Sequence, residues 1–122
     1  MPFLFEDLTS TILSACFEVI NELGSGFLEA VYEKALLIAL HQKGLNAVAQ
    51  YPIEVSFRGH NVGQYFADIL VENTVIVEIK TVTTLAPEHK AQVINHLKAS
   101  NIEVGLLVNF GNPKFEYKRL HK

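Results

Sequence analysis

Residues 65–81 read YFADILVENTVIVEIKT and hold the densest group of functional side chains in the chain, set inside a strongly apolar β pattern. Two apolar runs, Phe66 to Val71 and Val75 to Ile79, flank Glu72-Asn73-Thr74, a polar segment suited to a three-residue hairpin loop. A hairpin centred on Asn73 sets Val71 against Val75 and Ile69 against Val77, and brings Asp68 directly opposite Glu78. Opposed side chains of an antiparallel pair lie about 4.5–5.5 Å apart at Cβ. Two full charges at that separation repel by roughly 3 kcal/mol at an effective dielectric of about 20, so the pair needs a neutralising partner.

Lys80 lies two residues beyond Glu78, and strand alternation puts both on one face with Asp68 while Val77 and Ile79 point to the other. Two carboxylates from adjacent strands suit a hard divalent cation such as Mg2+ or Mn2+, which prefers oxygen ligands and keeps several waters. A lysine beside them holds a phosphate oxygen or lowers the pKa of an attacking water, which is the minimum for metal-assisted phosphodiester hydrolysis. The same residues also suit a plain charge pair, Asp68 or Glu78 bridging Lys80 on an exposed sheet face. The D-x9-E-x-K spacing does not by itself separate the two.

With 122 residues, 49% of them hydrophobic, the chain has enough length for one globular domain, 1–122, with a single core. The net charge of −3 argues against tight non-specific binding to DNA. Its distribution is uneven: residues 1–40 carry Glu6, Asp7, Glu18, Glu22, Glu29 and Glu33 against Lys34, whereas residues 91–122 carry five bases against Glu103 and Glu116. A nucleic-acid footprint is therefore expected on the C-terminal side. The lone Cys16 sits in an apolar helical pattern and reads as a buried small hydrophobe. The opening MPFLFEDL lacks the features of a signal peptide, and no stretch approaches the roughly 20 apolar residues that span a bilayer. The chain reads as cytoplasmic, with no membrane partner.

Taken in order, Leu8, Ile12, Ala15, Cys16, Val19, Ile20 and Leu23 recur at helical spacing and predict a helix from about Asp7 to Leu23, closed by Gly24. A second helix is expected from about Phe27 to Lys43, buried on much of its surface. Ala47 to Phe57 alternates as a strand around Pro52, which suits an edge or a strand start. Arg58-Gly59-His60-Asn61 reads as a turn, so the strand leading to Asp68 is expected to begin near Val62. Thr83 or Thr84 is a candidate cap for a third helix that tolerates Pro87 in its first turn and ends before Asn101. Ile102 to Phe110 is a continuous apolar run, read as a buried strand parallel to the Glu78 strand after a helical crossover; Lys114 to Leu120 reads as a charged edge strand.

This order, with Asp on the second strand and Glu-x-Lys on the third, resembles the PD-(D/E)XK nucleases. Gly26-Phe27-Leu28-Glu29-Ala30-Val31-Tyr32 further resembles the signature of the small GxxExxY proteins of that superfamily. Ala67-Asp68, Val77 to Lys80, Pro87 to Gln92 and Gly105 to Gly111 fall in matching order, so the likeness covers nearly the whole chain. It implies an α/β fold with the restriction-endonuclease-like core, α-β-β-β-α-β, a mixed sheet flanked by helices. It implies Asp68 and Glu78 as metal ligands, Lys80 as the catalytic lysine, and Glu29 as a further acidic ligand or water-positioning group. Gln92 matches the glutamine that opens a Q-x-x-x-Y helix motif in many of these nucleases, but His96 stands where that motif has tyrosine, and Ala67 stands in place of the proline. The function implied is metal-dependent hydrolysis of DNA or RNA, with Mg2+ or Mn2+ as cofactor and a homodimer as one assembly. The alternative is a catalytically silent module of the same fold that binds nucleic acid or a protein within a larger assembly; small size and acidic charge favour it, whereas the intact Asp68, Glu78, Lys80 and Glu29 favour the enzyme.

The satellite residues admit structural roles as well. Glu29 at N3 of a helix capped by Gly26 favours the positive helix end. Tyr32 suits either a substrate contact or a core position with a satisfied hydroxyl. His89, Gln92 and His96 share a helix face, but the two histidines are about 10 Å apart along the axis, too far for one ion. Hydrogen bonding to substrate phosphate or to Glu78 is the functional role they suit, and solvation of the helix face is the other.

Overall fold

The computed structural model describes residues 5–122, so the first four residues of MPFLFEDL lie outside the described residues. The chain forms α1 (Glu6–Leu23), α2 (Glu29–Gln42), β1 (Ala47–Phe57), β2 (His60–Val71), β3 (Val75–Lys80), α3 (Pro87–Ser100), β4 (Val104–Asn109) and β5 (Glu116–His121). The β2–β3 hairpin has the register set by a loop centred on Asn73: Val71 faces Val75, Leu70 faces Ile76 and Ile69 faces Val77. Glu72 and Asn73 both take positive φ, 52° and 55°, which closes the loop in three residues.

At the far end of β2 the connection is shorter than the sequence reading has it. Arg58 and Gly59 alone make the turn, at φ 51° and 81°, so Phe57 pairs with His60 and β2 starts two residues before Val62. Two central residues at positive φ match the twist of the flanking strands, which is why the strands continue to the turn itself.

The sheet order is β1-β2-β3-β4-β5. The first three strands form an antiparallel meander, β4 runs parallel to β3 after the α3 crossover, and β5 closes the sheet antiparallel at the other edge. Pro52 sits on edge strand β1, where its missing N–H costs least. Helices α1 and α2 cover one face, over Ile69, Val71, Val77, Ile79, Leu106 and Val108. Helix α3 covers the other, over Leu70, Ile76 and Leu107. A five-stranded mixed sheet with helices on both faces is the α/β core that the motif order implies.

Two helix starts differ from expectation. Helix α2 begins at Glu29 with Leu28 as N-cap, not Gly26, whose φ of 114° belongs outside a helix. Its buried stripe is narrow, Tyr32, Leu36, Ala39 and Leu40, and Val31 and Ile38 face solvent. Spacings of three and four residues select one stripe whatever the total apolar content. Helix α3 is capped at Ala86, not at Thr83 or Thr84: Ala86 N–H donates to His89 Nδ1 at 2.9 Å, and His89 N–H returns to the Ala86 carbonyl at 3.0 Å. Pro87 then occupies the first turn, where no intrahelical N–H is needed. Asn101 at φ 59° ends the helix as expected, and Cys16 is fully buried within α1, which pushes its thiol pKa well up.

Candidate functional site

The β2–β3 ladder stops at Ile69 and Val77, one residue short of Asp68 and Glu78. There the carboxylate takes over from the backbone: the Ile79 N–H donates to Asp68 Oδ2 at 2.6 Å. The strand period also breaks at this point. Ala67 packs on the α3 side, yet Ile69, two residues on, packs on the α1–α2 side. Opposite Asp68 on β1 the ladder skips Gln50, which adopts φ 55°. Strict alternation, assumed in placing Asp68 on one face with Glu78 and Lys80, therefore fails at the aspartate.

It holds for the other two. Glu78 is buried with its Oε2 2.7 Å from His96 Nδ1, a bond in which the ring nitrogen donates to the carboxylate. Lys80 Nζ donates to Gln92 Oε1 at 3.3 Å. A strand advances about 6.8 Å over two residues and a helix about 6 Å over four, so β3 and α3 meet in two matching rungs. His96, the departure from Q-x-x-x-Y, is the residue that makes the second rung.

Asp68 is the electrostatic centre of the group. Burial pushes its carboxyl up to about 6, against the pull of the Ile79 N–H, and Glu78, Glu33 and Glu29 push it further in the same direction. Glu33 was not singled out in the sequence. Its only sequence cue is its place one turn after Glu29 on α2, which puts the two acids on one helix face without saying what that face meets. Glu33 Oε1 accepts a 2.6 Å hydrogen bond from Gln50 Nε2, so the residue that drops out of β1 opposite Asp68 also steadies this acid.

Glu29 is exposed at the first position of α2. Tyr32 is fully buried, stacked on Phe110 with ring centroids 4.7 Å apart. Its hydroxyl donates to the Gly24 carbonyl at 2.6 Å and accepts from the Phe27 N–H at 3.2 Å. These bonds make it a core clasp on the α1–α2 turn, not a substrate contact. His89 spends Nδ1 on the α3 cap. Of the expected residues the fold thus joins Glu78 to His96 and Lys80 to Gln92, sets Asp68 in the electrostatic field of Glu78 and Glu29, and holds Tyr32 and the Nδ1 of His89 in structural bonds.

Among the described residues no three His, Cys, Asp or Glu side chains gather as a ready-made metal cage. The donor chemistry nonetheless fits a hard cation. Mg2+ is held by one or two carboxylates with water and substrate phosphate completing its shell, and Asp68 and Glu78 offer oxygen donors in an acidic neighbourhood that holds one carboxyl at about 6.

The profile of the PD-(D/E)XK nuclease superfamily matches residues 6–120. This chain belongs to the PD-(D/E)XK nuclease superfamily. The fold is similar to that in the crystal structure of SSO0001, which is 19% identical in sequence and superposes with a TM-score of 0.58 over 97% of this chain and 59% of that one. The chain therefore spans little more than half the length of that relative. A comparison with curated proteins gives no match. No helix among the described residues is long and apolar enough to cross a membrane.

Proposed function

We propose that this PD-(D/E)XK protein is a cytoplasmic nuclease of the GxxExxY type that hydrolyses phosphodiester bonds of nucleic acid with Mg2+ or Mn2+. The observation that carries the reading is Asp68: a half-buried carboxyl held by the Ile79 N–H beyond the end of the β2–β3 ladder, and raised to about 6 by burial and three further acids, is a poor structural element and a good cation site. The GxxExxY assignment is supported by the clasp that Tyr32 forms between Gly24 and Phe27, which fixes the turn delivering Glu29 to the start of α2.

Asp68 and Glu78 would hold the ion, which when bound lowers the pKa of a water and neutralises charge on phosphoryl oxygens. His96 fixes the rotamer of Glu78, and the Ile79 N–H fixes that of Asp68. Lys80, steadied by Gln92, presents a cation to a non-bridging phosphate oxygen, where its charge counts most as negative charge develops. Glu29 and Glu33 raise the electrostatic demand for a cation at Asp68.

The test pairs thermal unfolding with cleavage. A divalent ion at 10 times its dissociation constant stabilises the native state by about 1.4 kcal/mol, a midpoint rise of several degrees for a domain of this size. Wild type is expected to shift with Mg2+ or Mn2+ and Asp68→Asn is not. Single-stranded, duplex and branched DNA, together with RNA, are then offered as substrates; cleavage by wild type that disappears in Lys80→Ala, with the metal shift kept, establishes the enzyme. One observation favours a second reading, a silent module that binds nucleic acid or a protein partner: Glu78 already has a buried imidazole partner, its side chain and that of His96 each only 7% exposed. No metal shift and no cleavage of any substrate would select that module.

A further inference from the structure

The two α3 residues that reach β3, Gln92 and His96, also line an open groove of about 1070 Å3 between α3 and the outer half of the β1–β2 hairpin. The groove thus lies against the outer side of the two residues that bond Lys80 and Glu78. Tyr65 stands in its wall with half of its surface exposed, and its ring centroid lies 5.4 Å from that of His96. The imidazole is itself pinned through Nδ1 to Glu78, so the tyrosine rests on a fixed ring.

The charge of the lining is informative. The lining holds Glu54 and Glu88 against Lys98, with the imidazoles of His89 and His96, so carboxylates outnumber ammonium groups. Such a surface is wrong for sheathing the phosphates of a duplex, whose binding is dominated by cationic neutralisation. It is suited to uncharged heterocycles: an exposed aromatic face to stack on, and the amides of Gln92 and Asn95, each with donors and an acceptor.

We propose that this groove binds unpaired nucleobases, so that the substrate is single-stranded at the point where it enters the candidate site. Tyr65 is the stacking platform, and Asn95 and Gln92 contact base edges. The proposal rests on the nuclease reading for what happens at Lys80, but the groove's own chemistry determines what it holds.

Fluorescence anisotropy of a labelled single-stranded oligonucleotide and of the same sequence as duplex, in EDTA so that nothing is cut, tests it on wild type, Tyr65→Ala, Tyr65→Phe and Asp68→Asn. Single strand is expected to bind at least tenfold tighter than duplex. Tyr65→Ala should weaken single-strand binding by about 5- to 150-fold, the range for loss of one stacked base, and Tyr65→Phe should stay within about threefold of wild type because its ring is kept. Tyr65 is half exposed, and a thermal melt of each variant confirms that it is folded. Equal affinity of wild type and Tyr65→Ala, duplex binding as tight as single strand, or no binding of single strand overturns the groove. The nuclease reading fails separately: single-strand binding dependent on Tyr65, with no metal-dependent cleavage by wild type, leaves the groove standing without it.

Discussion

Burial and the neighbouring acids push the Asp68 carboxyl up to about 6, whereas an unfolded aspartate releases its proton near 3.8. Between those values the folded chain binds the proton and the unfolded chain does not, so stability falls as pH rises through the window. The penalty is absent below about pH 3.8, complete above about pH 6, and amounts to about 3 kcal/mol. Asp68→Asn keeps an oxygen for the Ile79 N–H and removes the charge. Metal-free Asp68→Asn is thus expected to exceed wild type by about 2–3 kcal/mol at pH 7.5 and to match it near pH 4, read from urea unfolding at both pH values. Saturating Mn2+ should narrow or reverse the gap at pH 7.5. The register that brings Asp68 towards Glu78 was legible in the sequence because a three-residue loop leaves one register; the break in alternation at Asp68 was not. The contributions of Glu33 and Gln50 were not, since they depend on a positive φ at Gln50 that no local signal announces.

Between β3 and α3 the chain makes a connection held by groups distant in sequence. Asn109, fully buried at the end of β4, accepts from the Val82 and Gly111 N–H groups at 3.0 and 2.9 Å and donates to the Val82 carbonyl and Glu116 Oε1, both at 2.8 Å. Glu116 also accepts from the Leu85 N–H, and Asn112 donates to the Thr83 carbonyl. These bonds set where α3 starts, and hence whether Gln92 and His96 meet Lys80 and Glu78. Asn109→Ala strands buried polar groups of the connection and is expected to cost about 2–4 kcal/mol. Gly111→Ala should cost more than 3 kcal/mol, roughly the upper end of overpacking effects, because a Cβ there would meet the Val82 backbone oxygen at 2.2 Å and nitrogen at 2.3 Å. Gly105→Ala is milder, about 1–3 kcal/mol, since its Cβ would meet side chains alone, Val93 at 2.8 Å and Leu97 at 3.4 Å. Urea midpoints at constant m-value check all three. The strand containing Asn109 was legible from its apolar run; the clasp was not, because an asparagine in such a run reads simply as its end.

Across the whole molecule the uneven charge of the sequence becomes a polarity of faces. The six acids of residues 1–40 lie on α1 and α2, and the basic residues after position 91 lie on or beyond α3. With few bases near the groove, the logarithm of affinity should fall against the logarithm of salt concentration with a slope shallower than about −2, corresponding to two or three phosphates on a single strand; anisotropy at several salt concentrations measures it. Of the bases that composition sets apart in the C-terminal part, Lys98 on α3 lines the groove, whereas those of β5 lie at the sheet edge opposite β1. Strand order followed from element order and crossover handedness, but the groove depends on how far the first hairpin outruns its neighbours, which the expected start at Val62 understated. The Arg58–Gly59 turn at the end of that hairpin has one further consequence. A Cβ placed on Gly59 would meet nothing within 4 Å, and every residue assigned to phosphodiester chemistry lies elsewhere. A reporter or a sequence-reading domain can be grafted at this tip, beside the entrance to the groove, without altering the spacing of the reaction centre; the same graft between Lys80 and Pro87 would take it apart.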